Sequence, residues 1–343
     1  MPNWRQIAKS HELELPDFCF KNGSRMDLKL RCRTLGRLDD TASNAALLLH
    51  GTTGSSLQFL EPDTADFLFG EGQPLDHNSY FIIMPDAIGH GESSKPSDEL
   101  GVKFPQYQYS DIVAVQHAVI RNLFALDHLR LILGTSMGGM QTWMWGIAYP
   151  KMMDALMPIA CVPQKVSGHN LLFRRLMLAM IKSDPHYATD GSAPTSHGLG
   201  LAWNLFQLMT ASQTELARLF HDADAADDHI REIADKAESS QHAIDVVWEF
   251  NASQDYDPND DLGQIEASLL TVNFLDDVIN SPYLKDLDRD IRRVPRGHAV
   301  TIDAGVKARG HQTLSCAEVW RHYVQELLAQ TNDRHHKLLK TRH

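Results

Sequence analysis

Cysteine is scarce in this 343-residue chain: Cys19, Cys32, Cys161 and Cys316 stand far apart, with no Cys-x-x-Cys. That spacing excludes a disulfide framework and a cysteine-based zinc ribbon, and reduced thiols in a cytoplasmic protein are the expectation. Long apolar runs are missing as well. No uncharged stretch reaches the roughly 18 residues of a membrane span, and Met1-Pro2-Asn3-Trp4-Arg5-Gln6 has no basic-then-apolar leader, so neither membrane insertion nor export is expected. Positive charge is short: 32 basic against 44 acidic residues leave a net charge of -12. That balance repels phosphate backbones and anionic membranes, so the expected partner is a small molecule, with no nucleic acid and no membrane. Phosphate-cradling Gly-x-x-x-x-Gly-Lys, Gly-x-Gly-x-x-Gly opening a helix after the first strand, and His-Glu-x-x-His are all absent. No cofactor or metal is therefore expected, and no fixed-period repeat or low-complexity tract appears.

What is present is a globular composition, 43% hydrophobic and 22% charged, on a chain long enough for one large domain with an insertion. The stretch around which it is organised is Leu131-Ile132-Leu133-Gly134-Thr135-Ser136-Met137-Gly138-Gly139-Met140. An apolar run of strand character enters Gly-x-Ser-x-Gly and leaves as a helical pattern, with Met140, Trp143, Met144 and Ile147 on one face. Ser136 thus falls on a sharp strand-to-helix turn, where a Cβ at Gly134 or Gly138 would meet neighbouring chain. Its hydroxyl would be exposed at a helix N-terminus that favours developing negative charge.

The surrounding chain alternates strands and helices. Phe18–Phe20 and Leu28–Arg33 about Asn22-Gly23-Ser24 predict an antiparallel edge hairpin. Ala45–Leu49 reads as a strand buried on both faces, ending in His50-Gly51-Thr52-Thr53-Gly54. The residue after His-Gly occupies the place of the second oxyanion donor in such sheets, which assigns the backbone N–H of Thr52 and that of Met137 to an oxyanion hole. His50 itself reads as a hydrogen-bonded structural imidazole. Tyr80–Pro85 is a further strand, leading into Asp86-Ala87-Ile88-Gly89-His90-Gly91-Glu92-Ser93-Ser94; a helix follows from Ser110, and Met152–Ala160 gives another strand. Crossovers of this length indicate a mostly parallel sheet flanked by helices.

From about 164 to 256 the pattern is helical only, as at Leu201, Leu205, Leu208 and Met209. Sheet character resumes over Ala267–Leu275, ending at Asp276-Asp277, and a last strand near Ala299–Ile302 leads to Gly310-His311. The expected organisation is a core of residues 1–161 and 257–331, a helical lid insertion at 162–256 over the carboxyl edge of the sheet, and a polar C-terminal tail at 332–343. Ser136, an Asp and His311 follow one another in the order Ser, Asp, His, each after a strand, which differs from the chymotrypsin and subtilisin orders. In that arrangement His311 takes the Ser136 proton while a carboxylate fixes the imidazole. His298 precedes the last strand and belongs at the opposite edge. Asp276 and Asp277 point to opposite sides of an extended chain, so one alone can face the imidazole, and spacing leaves the choice open. Cys161, beside a strand, reads as a small buried hydrophobe.

These residues resemble the α/β-hydrolase superfamily, and within it the branch of homoserine O-acetyltransferase-like proteins and their hydrolase relatives. Gly134-Thr135-Ser136-Met137-Gly138-Gly139-Met140-Gln141 with Trp145 and Tyr149-Pro150, Phe104-Pro105 before Ser110-Asp111, and Gly51-Thr52-Thr53-Gly54-Ser55-Ser56 carry the likeness, over roughly 45–165 and 265–330. The resemblance implies the α/β-hydrolase fold with a helical lid. It also selects Asp277, since the branch places Ile or Leu two residues and Pro five residues after its Asp, as Ile279 and Pro282 stand here. Family members are often dimers, so a homodimer is implied. The acetyltransferases carry a Gly-Gly-Cys-x-Gly-Ser-Thr-Gly-Pro type of segment where this chain reads Gly89-His90-Gly91-Glu92-Ser93-Ser94-Lys95-Pro96, as in ordinary ester hydrolases. The expected activity is hydrolysis of a small carboxylic ester through an acyl-serine formed by Ser136, His311 and Asp277. The alternative is acetyl transfer to homoserine or a similar hydroxyl, with acetyl-CoA as co-substrate.

Overall fold

The computed structural model describes residues 2–185, 187 and 197–341. Part of the expected lid, residues 186 and 188–196, lies outside them. Eight strands form one sheet in the order β1-β2-β4-β3-β5-β6-β7-β8. β1 (Lys9–Cys19) and β2 (Arg25–Leu35) make the antiparallel edge, longer than the sequence pattern suggests, with a register shift between Leu15 and Phe18 around left-handed Asp17. β2 joins β4 (Phe81–Pro85) antiparallel; β4, β3 (Ala45–Leu49), β5 (Leu129–Thr135), β6 (Met153–Ile159), β7 (Ser268–Phe274) and β8 (Gly297–Ile302) run parallel.

Alternate residues of the central strands feed two separate cores, the reason these strands read as unbroken apolar runs. Leu47, Leu49, Ile132, Leu156 and Leu269 meet α3 (Tyr109–Phe124) and α4 (Met137–Ala148) through Ile112, Val115, Val119 and Trp143. Ala46, Leu48, Leu131, Leu133 and Met157 meet α2 (Pro62–Leu68) and α11 (Ala317–Thr341) through Ala65, Leu68, Trp320 and Val324. α1 (Trp4–Ile7) pins its Trp4 into the second core. Each such fully buried side chain contributes about 1.5–3 kcal/mol relative to exposure. α11 continues through Thr341, so residues 332–341, expected as a tail, extend the helix. Neither Gly nor Pro occurs after Ala317 to stop it.

Between β6 and β7 stand α5 (Gly168–Ser183), α6 (His197–Thr210), α7 (Gln213–Leu219), α8 (Ala223–Ser240) and α9 (Ala243–Asn251). α9 is the best buried of them, and Trp248 Nε1 donates to the carbonyls of Phe104 and Pro105 at 3.2 Å, fastening this layer to the core. The short α10 (Asp286–Asp290) follows β7. Among the described residues no helix is long and apolar enough to cross a membrane.

Two glycines separate a packing requirement from a tolerant position. A Cβ on Gly138 would lie 2.0 Å from the Leu49 carbonyl oxygen and 2.8 Å from that of His50, whereas one on Gly263 meets only the Arg293 oxygen at 3.9 Å. Gly138→Ala is therefore expected to cost about 2–3 kcal/mol in urea unfolding and Gly263→Ala to be neutral or slightly stabilising. Equal stability of the two variants would show that α4 does not need that close approach.

Candidate active site

Ser136 occupies the N-cap of α4 with φ 52° and ψ -112°, a backbone state that an L-residue holds only under constraint. The constraint is local. Ser136 N donates to Ile159 O at 2.8 Å, tying the turn to the end of β6, and Gly134 and Gly138 are packed so closely that either Cβ would collide with backbone. Met137 begins α4, so its N–H has no carbonyl a turn earlier in the helix to bond.

The structure brings three of the sequence-predicted side chains into one chain of hydrogen bonds. His311 Nε2 lies 2.9 Å from Ser136 Oγ, and His311 Nδ1 lies 2.8 Å from Asp277 Oδ2. Asp277 is buried; Asp277 Oδ1 accepts from the amides of Ile279 (2.8 Å) and Asn280 (3.2 Å), and Asn280 Nδ2 donates to Asp277 Oδ2 at 3.1 Å. Burial alone would raise the Asp277 carboxyl, but the adjacent His311 and the Asn280 hydrogen bonds outweigh it and hold it below the usual carboxylate range. A carboxylate at Nδ1 makes that nitrogen the donor and leaves Nε2 free to accept from the serine hydroxyl.

Asp276 faces elsewhere, from the turn that follows β7. Its Oδ2 accepts from Gly310 N at 2.8 Å, so it clamps the loop that carries His311. His298 is the second residue of β8, paired with Leu270, and forms no part of the Ser136–His311–Asp277 run. Cys161 is buried, and desolvation pushes its thiol well up, which leaves it protonated and non-nucleophilic.

The loop after β3 completes the corner: an added Cβ on Gly51 would lie 3.7 Å from Ser136 Cβ. The Gly51 carbonyl is held by His50 Nδ1 (2.8 Å) and by Gly54 N (3.0 Å). In a trans peptide the N–H of the next residue points the opposite way, so these two bonds aim Thr52 N–H. His50 Nε2 accepts from Ala87 N at 3.0 Å, so the proton is on Nδ1; burial first of all pushes this imidazole down, which keeps it neutral. Gln58 spans the corner, its Oε1 accepting from Gly51 N (3.0 Å) and its Nε2 donating to Thr135 Oγ1 (2.8 Å). Gln58, Asn280 and the clamp at Asp276 escape a sequence reading because they act on backbone groups, which no motif records.

Ser136 and His311 open into a cavity of about 950 Å³ walled by the β3 loop and by α5, α6 and α9. Arg174 lines it from α5: the side chain is buried, Nε donates to Asn170 at 2.8 Å, the guanidinium lies 5.3 Å from the Phe250 ring centre, and Nη1 has no partner among the described residues. Among those residues no group of three or more metal-ligating side chains occurs.

A family model of the alpha/beta hydrolase fold matches residues 45–189. The homoserine O-acetyltransferase structure from Bacillus anthracis superposes with a TM-score of 0.83 at 18% identity, over 94% of this chain and 98% of that one. The chain has the α/β-hydrolase fold. Its sequence relatives are similar over part of their length and include homoserine O-acyltransferases. It is 34% identical over 207 residues to a homoserine O-acetyltransferase of Rhodopseudomonas palustris, covering 55% of this chain and 51% of that protein. It is 32% identical over 169 residues to a homoserine O-succinyltransferase of Magnetococcus marinus, covering 45% and 42%. The chain spans about half the length of the curated relatives it matches. An acetylester hydrolase from Corynebacterium glutamicum has the same fold, with a TM-score of 0.80 at 20% identity over 94% of this chain and 96% of that one.

Because Asp277 is lowered in the folded state, the stability it contributes is fully present above the ordinary carboxylate value and is lost as pH falls through the folded one. In urea titrations between about pH 5 and pH 2, Asp277→Asn is expected to flatten the fall in unfolding free energy. Parallel curves for the variant and the parent would remove Asp277 as a paired carboxylate.

Proposed function

We propose that this α/β hydrolase is an acyl-transfer enzyme that forms an ester on Ser136. The observation that carries the reading is the hydrogen-bonded run from Asp277 through His311 to the hydroxyl of a serine held on a strained turn. Ser136 Oγ attacks the carbonyl carbon of a small acyl donor as its proton passes to His311 Nε2. The N–H groups of Thr52 and Met137 receive the negative charge on the carbonyl oxygen. Collapse expels the leaving group, which takes the proton from His311. The imidazole is then free to deprotonate the second nucleophile, whose attack releases Ser136. The helices α5–α9 act as the lid that limits water and shapes the acceptor space.

The second nucleophile decides between two activities that share this machinery. The sequence relatives named homoserine O-acetyltransferase support a hydroxyl acceptor, with acetyl-CoA as donor. Arg174 supports the same choice from within the cavity. A buried guanidinium with an unengaged N–H is suited to a carboxylate, which would hold an amino-acid acceptor in place. Hydrolysis of a short ester is the second reading, favoured by the Gly89–Pro96 loop and by the fold shared with acetylester hydrolases.

Free thiol released from acetyl-CoA, with and without homoserine, separates the two. Release that requires homoserine is expected for transfer, and release independent of it means hydrolysis. Ser136→Ala and His311→Ala are each expected to lower kcat by about 10³-fold or more, because the residues act as a unit. Arg174→Ala is expected to raise KM for a carboxylate-bearing acceptor by about 10–100-fold with little effect on an uncharged ester. Full activity in Ser136→Ala, or failure of an organophosphate to label the protein, would overturn the acyl-serine reading.

A further inference from the structure

Two imidazoles hold Thr52 from either side, and they differ in what their surroundings demand. His50 faces one acceptor and one donor, Gly51 O and Ala87 N, and a neutral ring satisfies both. His90, 2% exposed, faces two acceptors: Nδ1 is 2.9 Å from Ile88 O and Nε2 is 2.8 Å from Thr52 O. A carbonyl oxygen only accepts, and a neutral imidazole carries a single N–H. A neutral His90 would therefore set a lone pair against a carbonyl oxygen at hydrogen-bond distance. Two N–H groups, hence an imidazolium, fit both contacts.

A buried cation needs a counter-charge. Glu249 supplies one from α9: it is 6% exposed, Oε1 lies 3.9 Å from His90 Nε2, and Oε2 has no partner among the described residues. We propose that His90 and Glu249 hold one proton jointly, that it resides on the imidazole, and that the resulting buried ion pair makes His90 the positioning residue that fixes Thr52 and links it to α9. This rests on the acyl-serine reading only for its consequence in catalysis. His50 fixes the peptide that bears Thr52 N–H and His90 fixes the peptide that follows. With both planes set, the donor direction is set.

The other ionisable groups nearby are neutral or already paired. His50 packs beside His90, ring centres 5.1 Å apart, and stays neutral. Asp86 accepts from the amides of Ser56 (2.7 Å) and Glu92 (2.9 Å) and faces Arg33 at 3.5 Å. Asp245 on α9 accepts from Ser97 N and Ser97 Oγ, and burial keeps the Tyr107 hydroxyl protonated. Burial and His50 push His90 down, to about 3, against the pull of its two carbonyls and Asp86, and burial and Asp245 push Glu249 well up. Both shifts favour the neutral forms, so the ion pair rests on the two carbonyl contacts of His90 and on Glu249 as its counter-charge.

The clamp is present while His90 carries both ring protons and is lost as pH rises through the folded value of the imidazole. Glu249→Gln removes the counter-charge, and the loss moves to lower pH. The test is nitrogen-15 NMR of histidine-labelled protein, with the His90 signals assigned by their disappearance in His90→Gln. Near neutral pH both ring nitrogens of His90 are expected in the protonated range in the parent protein, and one of them in the unprotonated range in Glu249→Gln. On a short acyl ester at about pH 8, Glu249→Gln is expected to lose roughly tenfold in kcat with little change in KM, a fraction of the effect of deleting an oxyanion donor. That deficit relative to the parent shrinks as pH is lowered, while the deficit of His90→Gln stays constant. An unprotonated His90 nitrogen in the parent near neutrality, or a Glu249→Gln pH profile parallel to the parent's, overturns the proposal. Failure of organophosphate labelling would sink the acyl-serine reading and leave the NMR result standing.

Discussion

The close approach of α4 to the end of β3 governs everything around Ser136. It is permitted by a missing Cβ at Gly138, where any side chain would run into the carbonyls of Leu49 and His50. With the helix start pressed there, the first free amide of α4 and the loop after β3 share one corner with the serine hydroxyl. The positive φ at Ser136 is the strain of that arrangement, and the sheet over-determines it: Ser136 N is bonded to β6, and Gly134 pairs with Leu49 on one side and Pro158 on the other. Three strands and one helix thus meet at a point that none could specify alone.

A second layer of polar groups then converts a corner into a directed site. Asp277 is costly to bury, and it is compensated by His311, by two backbone amides and by Asn280, which also reaches Ala160 O at 2.9 Å and so joins the acid to the strand beside the serine. Asp276 holds Gly310, and Gln312 Nε2 donates to Thr210 Oγ1 at 3.0 Å. A Cβ on Gly310 would strike the backbone of Thr210 and Ala211 at the end of α6. The imidazole loop is therefore braced by β7 on one side and by the helical layer on the other.

How much of this was readable follows from which interactions are periodic. The strands, α3, α4 and the pairing of Ser136 with His311 are legible because burial on one or two faces leaves an apolar pattern and because the turn needs glycine at fixed offsets. The acidic neighbour was narrowed to Asp276 or Asp277 by the pleat, and only the resemblance chose Asp277. β1 is legible at its last residues alone, since Lys9–Glu12 holds no apolar residue and Pro16 breaks the short alternation of Glu12–Leu15 before the bulge. α2 left no signal strong enough to assign, being two turns long with a short apolar face. The end of α11 reads as a tail because Arg334-His335-His336-Lys337 is polar, yet helix-compatible residues without a breaker continue the helix. Gln58, Asn280 and His90 act through backbone carbonyls and amides from distant loops, a relation that sequence spacing does not encode.

The division of labour between sheet and helices bears on why one fold supports both hydrolysis and transfer. In the proposed reaction, attack, charge stabilisation and proton transfer draw on the ends of β3, β5, β7 and β8, which pack into the two sheet cores. The helical-layer side chains that line the cavity, Arg174, Phe206 and Phe250 among them, stand on α5, α6 and α9. The second nucleophile differs between water and a hydroxyl acceptor in size and charge, not in the chemistry required of the imidazole. A change in the helical layer can therefore redirect the acyl group while the strand ends stay as they are. The layer also touches those ends directly, through Thr210 at the imidazole loop and Glu249 beside His90, so under the proposed function the helices that would select the acceptor are in contact with the loop that would orient the oxyanion donors. Selection and chemistry are thereby coupled through packing, within one cavity.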